Sequence, residues 1–410
     1  MFPVDPRPRD PSGHSSPSGA LLVAPPLRPF AAHALLLLWR NPLPLFTVPC
    51  KLRKQSIVNQ RRKMESSDIR QVLAAYEVGK YLALEPGGGT AGRTWRVIST
   101  QGEYFLRRRG ARTSGEARLA FDHGLRAHLV ARGMPTVCAL KTTSGQLWLR
   151  RPEGVYELYP FVTGRSFDPQ QQGELLSAAQ SLARFHQAAA QYQPAGPPEP
   201  IAQYTTLGFS GATSSRMDDP QLQRENLAAV RKLTINSEEE ALVDRFLARA
   251  AEQERTYAGT AYAPLEGWVI HGDYTPANLL FSGQGQVVGI FDLDWAVPGT
   301  RCRDVADGLY FFATLPRRID AGDIWSLTDA AQFDPDRCAA FLRAYQEVSP
   351  LAPAELDALP RAFAGRWISM RLEGMAKVAP DQRFRFFSRQ AEEPLRWLDE
   401  HWLPLRQQLS

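Results

Sequence analysis

One short polar run sets the chemical problem: His271-Gly272-Asp273-Tyr274-Thr275-Pro276-Ala277-Asn278, followed after an apolar stretch by Asp292-Leu293-Asp294. The first part has the form H-G-D-x-x-x-x-N. The second is an apolar strand, Gly289-Ile290-Phe291, that ends in carboxylates. Ser282–Gly285, between them, is a glycine-rich turn that suits a hairpin. Phosphoryl transfer asks for such a set. Metal must neutralise charge on the leaving and incoming oxygens, and a carboxylate must orient the attacking hydroxyl and take its proton. Asp273 fits the role of base. Asn278 offers a neutral carbonyl ligand and Asp292 a carboxylate ligand to magnesium, a cation that favours oxygen donors. The three make one site only if the hairpin returns Asp292 to the loop. Singly, an Asp or Asn in a loop is an ordinary turn former, so the reading rests on the set.

The combined pattern resembles the aminoglycoside phosphotransferase / choline kinase / homoserine kinase superfamily, the small-molecule relatives of protein kinases, over about residues 68–400. Gly272 stands where protein kinases carry Arg, and Asp292-Leu293-Asp294 replaces D-F-G. The resemblance implies an α+β, two-lobed, protein-kinase-like fold. A small antiparallel β-sheet N-lobe spans 64–160, and a mainly helical C-lobe spans 161–410. It implies ATP and Mg as cofactors and a hydroxyl group of a small metabolite as acceptor. The glycine turn Gly87, Gly88, Gly89 is expected to cover phosphates with backbone N–H groups. Arg107 is expected to grip them where family members often carry Lys, although Arg108 and Arg109 leave the register open by one. Its partner carboxylate is expected on the next helix, Asp122 first and Glu116 second. Tyr156–Phe161, with Glu157 and Tyr159, is expected to meet adenine through its backbone. Two alternatives stand beside the small-molecule kinase. One is a catalytically silent nucleotide-binding regulator, opposed by the intact Asp273, Asn278 and Asp292. The other is a protein kinase, opposed by the missing D-F-G and A-P-E and by the short Pro298–Arg303 segment.

Other polar residues are given supporting roles. His271 is expected to brace the loop by hydrogen bonding, and His186 to pack behind it. Asp304 and Asp307 are expected to cap a helix or brace the loop. Asp294 is open between a second metal contact and a structural role. Arg366–Arg371 is a candidate wall for the acceptor, in which Arg371 either holds a carboxylate or simply packs. No acidic concentration announces a polycationic acceptor, so the lean is towards a homoserine-like or amino-sugar-like molecule.

The elements that must position this chemistry change character along the 410 residues. Residues 1–63 hold 11 of the 32 prolines and read as a disordered or over-extended leader, with organelle targeting as the other option. Residues 1–64 carry ten basic and two acidic groups, +8 against a whole-chain +5, which leaves −3 for residues 65–410. The body therefore shows no basic footprint for nucleic acid. Phe30–Trp39 is too short to span a bilayer, and no membrane partner is expected. Cys50, Cys138, Cys302 and Cys338 form no C-x-x-C pair and read as reduced thiols of a cytoplasmic protein. Strands are expected at Thr94–Thr100, Glu103–Arg108, Val137–Lys141, Leu147–Arg150 and Tyr156–Tyr159, and helices at Gly115–Arg132 and Leu175–Tyr192. Ser237-Glu238-Glu239-Glu240 opens a further helix with a capping-box pattern. From Arg303 onward the chain is expected to be helical, broken at Pro316, Pro350 and Pro380.

Overall fold

The computed structural model describes residues 66–87, 94–196, 201–205, 208–214, 218–258, 265, 267–314, 323–329 and 333–409. Gly88, Gly89, the leader and Pro316 lie outside the described residues. Contacts group Lys63–Ser410 into one unit, and every described element belongs to it.

The unit begins with α1 (Ser66–Leu73), β1 (Tyr81–Pro86), β2 (Thr94–Ser99), β3 (Gly102–Arg108), α2 (Glu116–Ala131), β4 (Leu149–Arg151) and β5 (Gly154–Pro160). The strands form one antiparallel sheet in the order β1-β2-β3-β5-β4. Alternation along β2, β3 and β5 sends Val97, Leu106, Tyr156 and Leu158 into a small core, which Ile69 and Val72 of α1 complete. The strand expected at Val137–Lys141 does not form. That segment gives β5 a single bond, Leu140 N–H to the Leu158 carbonyl at 2.7 Å, because β4 pairs with the rest of that edge.

The second part contains α3 (Gln172–Ala189), β6 (Ile201–Thr205), β7 (Gly208–Ser214), α4 (Pro220–Arg231) and α5 (Ser237–Tyr257). Then come β8 (Trp268–Ile270), β9 (Leu279–Phe281), β10 (Val287–Ile290), β11 (Val297–Gly299) and α6 (Arg301–Phe311). The chain ends with α7 (Pro335–Val348), α8 (Pro353–Met375), α9 (Arg383–Ser388) and α10 (Glu393–Gln407). Side-chain caps fix several helix starts. Asp219 accepts from Gln221 and Leu222 at α4, and Asp334 from Asp336 and Arg337 at α7. The cap of α5 sits one residue earlier than the sequence suggests: Asn236 accepts from Glu239 N–H, while the Glu239 carboxylate accepts from Ile235 N–H. Neither the β6–β7 hairpin nor β11 is announced by the sequence. β11 is a three-residue strand with a central proline that, among the described residues, pairs with β8 alone. The large core joins Leu182 and Phe185 of α3 to Leu309, Phe341 and Trp367 of α6, α7 and α8. Among the described residues no helix is long and apolar enough to cross a membrane.

Candidate active site

The chain leaves β8 through a turn that requires glycine. Gly272 has φ +80°, and a Cβ there would collide with the Trp295 carbonyl. Asp304, near the start of α6, then clamps the turn. Its carboxylate accepts from the backbone N–H of His271 at 2.6 Å and of Gly272 at 2.9 Å. His186 of α3 donates from Nε2 to the same carboxylate at 3.1 Å, and its Nδ1 accepts from the Tyr345 hydroxyl at 2.7 Å. Burial works to raise the Asp304 carboxyl, but the His186 hydrogen bond and nearby positive charge carry it below its ordinary value. His271 donates from Nε2 to the Phe291 carbonyl at 2.9 Å, and its Nδ1 accepts from Asp273 N–H at 3.3 Å. His271 and Asp304 are therefore loop braces, and His186 stands behind the loop.

Asp273 and Asn278 meet directly. The Asn278 Nδ2 donates to the Asp273 carboxylate at 3.1 Å and to its carbonyl at 2.8 Å. That orientation turns the Asn278 side-chain carbonyl oxygen away from the Asp273 carboxylate. The β9–β10 hairpin turns on Ser282–Gln286 and returns the chain so that Phe291 N–H donates to the Asn278 carbonyl at 2.9 Å. Asp292, the next residue, sits in the left-handed region at φ 59°, ψ 59°, which is strained for a non-glycine. Its side chain is 39% exposed and that of Asp273 is 31% exposed, so both can reach a ligand. Among the described residues no group of three or more His, Cys, Asp or Glu gathers around a metal position. One carboxylate and one amide oxygen still suit magnesium, which takes few protein ligands and completes its shell with phosphates and water.

Arginines enter from the sheet side. Arg107 of β3 contacts Asp294 at 2.5 Å, Asp292 at 3.3 Å and Glu157 at 3.8 Å. The expected pairing of Arg107 with Asp122 is not present. Arg109 takes Asp122 at 2.5 Å, Glu157 at 2.9 Å and Asp294 at 3.1 Å, and Arg126 of α2 holds the other side of Asp122 at 2.8 Å. Arg109 lies two residues on, so it reaches α2 where Arg107 faces the Asp292–Asp294 loop. Glu116 is apart from this cluster and pairs with exposed Arg150. Glu157 and Tyr159 are also placed differently from the adenine expectation. Glu157 is fully buried among Arg109, Arg107 and His123, and Tyr159 is buried under Arg126. Their strand pairs with β3, Leu140 occupies the Leu158 carbonyl, and Phe161 N–H donates to Glu103. Asp294 is structural in this arrangement: Thr113 also donates to it at 3.0 Å. Burial pushes its carboxyl up, against the pull of Arg107 and Arg109. Arg126 and His123 were not expected in this cluster, and Arg109 only as an alternative to Arg107. A run of three arginines gives no sign that Arg107 and Arg109 share the inward face and divide its carboxylates between them.

A second charge chain approaches from the helical side. Asp218 pairs with Arg303 at 3.0 Å, Arg303 with Asp307, Asp307 with Arg366 at 2.6 Å, and Arg366 with Asp273 at 3.4 Å. Burial pushes the Asp307 carboxyl up to about 6, even with Arg303 and Arg366 beside it. Arg371, the expected carboxylate holder, faces away: it donates to the carbonyls of Phe386, Phe387 and Gln390 and lies over Trp367. Arg366 is about 140° from it round the helix and is the one that reaches the site.

The model of the phosphotransferase enzyme family matches residues 83–351. The chain belongs to that family. It is a small-molecule kinase, transferring phosphate to a hydroxyl group, on a protein-kinase-like α+β fold. An uncharacterized protein of Deinococcus radiodurans is 29% identical over 69% of this chain and 75% of its own length. A homoserine kinase of Parvibaculum lavamentivorans is 25% identical over 78% of this chain and 88% of its own length. Among solved structures, an aminoglycoside phosphotransferase from Alicyclobacillus acidocaldarius shares the fold at TM-score 0.56, with 18% identity, over 83% of this chain and 96% of that one.

Proposed function

We propose that the chain transfers the γ-phosphoryl group of ATP, with magnesium, to a hydroxyl of a homoserine-like or amino-sugar-like metabolite in the cytoplasm. The observation that carries this reading is the closure of the loop. Asp273 and Asn278 share hydrogen bonds at 2.8 and 3.1 Å, and the hairpin seats Asp292 one residue from the Asn278 contact. Asp273 accepts the proton of the acceptor hydroxyl. The Asn278 amide aims that carboxylate through Nδ2 and keeps its oxygen for the metal. Asp292 is the second metal ligand. When bound, magnesium neutralises charge on the phosphate oxygens. Arg107 grips phosphate, and the turn that includes Gly87, Gly88 and Gly89 covers it. The homoserine kinase relative supports an amino-acid acceptor, and the aminoglycoside phosphotransferase neighbour keeps an amino sugar in view. The test is ADP release from Mg·ATP with homoserine, choline, hexosamines and aminoglycosides, each with and without magnesium. Turnover of one of these that depends on the metal is the expected result. Turnover of a peptide hydroxyl but none of these compounds would sink the reading.

A further inference from the structure

We propose that Arg366 is the specificity-determining residue of the acceptor site, and that the acceptor carries a carboxylate beside its hydroxyl. The inference rests on the kinase reading and adds the chemical class of the acceptor. In the helical-side charge chain, Asp307 and Asp218 are 0% and 4% exposed, and Arg303 is 3% exposed. They are occupied by one another. The two members that reach the surface are Asp273, with 31% of its side chain exposed, and Arg366, with 12%. An incoming acceptor therefore meets one carboxylate and one guanidinium.

The guanidinium has capacity left. Arg366 Nε donates to Asp307 at 2.6 Å, and Nη2 donates to Asp273 at 3.4 Å. Nη1 has no partner among the described residues. The 3.4 Å contact to Asp273 is long for a charge-assisted bond, so Nη2 can also turn to a ligand. A guanidinium presents its donors as a planar fork that matches a carboxylate. Asp307, buried and within 2.6 Å, fixes the plane of that fork. The backbone beneath it is fixed too. Gln223 donates to the Gly365 carbonyl at 2.9 Å, and Gln253 packs on Gly365 and donates to the Arg361 carbonyl. The ring of Phe311, 6.0 Å from the guanidinium, lines the other side. A carboxylate on Arg366 would place a neighbouring hydroxyl at Asp273, because the two side chains already touch. A cationic acceptor would have to bring its charge to this guanidinium.

The experiment compares acceptors that differ only in the carboxylate: serine with ethanolamine, and homoserine with 3-aminopropan-1-ol. Each is assayed with the wild type, Arg366→Gln and Arg366→Lys. The wild type is expected to favour the carboxylate member of at least one pair. In Arg366→Gln that preference should fall by about 10- to 100-fold, the loss expected for a hydrogen bond to a charged group, mainly through KM. Arg366→Lys should restore part of it. Arg366 also orients Asp273, so kcat falls for both members and the ratio is the readout. An equal loss for both members overturns the proposal, and so does a wild-type preference for the amino alcohol; the kinase reading survives either. If the wild type turns over none of the four, the kinase reading fails for these acceptors. The anion site is then read by melting temperature in the presence of Mg·ATP analogue. L-homoserine stabilising the wild type but not Arg366→Gln supports the site, and no difference between them removes it.

Discussion

Two chains of alternating charge reach the same site from opposite sides, and they are built differently. On the sheet side, Arg107, Arg109 and Arg126 interleave with Asp122, Glu157 and Asp294, and the carboxylates there have two or more cationic partners each. That cluster is closed except at Arg107, which also touches the partly exposed Asp292. On the helical side, Asp218, Arg303, Asp307, Arg366 and Asp273 follow one another with a single branch from Arg303 to Asp304 at 3.8 Å, and the chain is open at Asp273. A closed cluster fixes geometry, since removing one member leaves buried charge uncompensated. An open chain can exchange its last contact for a ligand. The first arrangement suits the end that must hold β3, α2 and the Asp292–Asp294 loop in one place. The second suits the end that, under the proposed function, receives an acceptor and releases a product.

The contrast is sharpened most at the open terminus. Asp273→Asn is expected to lower kcat by about 10²- to 10⁴-fold, the range for loss of a general base, while nucleotide affinity stays nearly unchanged. Steady-state kinetics and nucleotide binding on one preparation would check this, and near-normal turnover would remove Asp273 as base. The next largest effect belongs to the closed cluster and appears in stability. Arg109→Met takes one cationic partner from each of Asp122, Glu157 and Asp294 at once and is expected to cost about 3–5 kcal/mol. A denaturation midpoint close to wild type would mean that the cluster relaxes and does not lock its members in place. The smallest effect is in pH. The Asp307 carboxyl lies at about 6 in the fold, above its ordinary value of 3.8, so the folded state holds that proton more tightly than the unfolded one. Its contribution to stability is full below about pH 4 and is lost as pH rises through about 6. The stability difference between wild type and Asp307→Asn should therefore shrink across that window. A difference that stays flat with pH would show that Arg303 and Arg366 keep Asp307 ionised throughout, which would make the open chain as tight as the closed one.

Much of this was legible in the residues and some was not. Asp273, Asn278 and the bracing histidine lie within eight positions, so their meeting is a local matter of one turn. The hairpin that returns Asp292 is announced by Ser282–Gly285. Strand β3 and helix α2 were recognisable from their periods, but the pairing between them was not. Arg107, Arg108 and Arg109 are alike as letters; Arg107 and Arg109 both reach Glu157 and Asp294, and only their places along that face assign Asp122 to Arg109. The same holds on α8, where Arg366 and Arg371 are equivalent by type and lie on different faces of the helix.

The sequence by itself picked out the proposed reacting set and the order of most elements, because those depend on short spacings, turn residues and the period of apolar positions. Tertiary structure alone decided which arginine meets which carboxylate. Many of these ion pairs join groups far apart along the chain, Arg107 and Asp294 among them, and their geometry is set by how strands and helices pack around them. Nothing in the local sequence carries that distance.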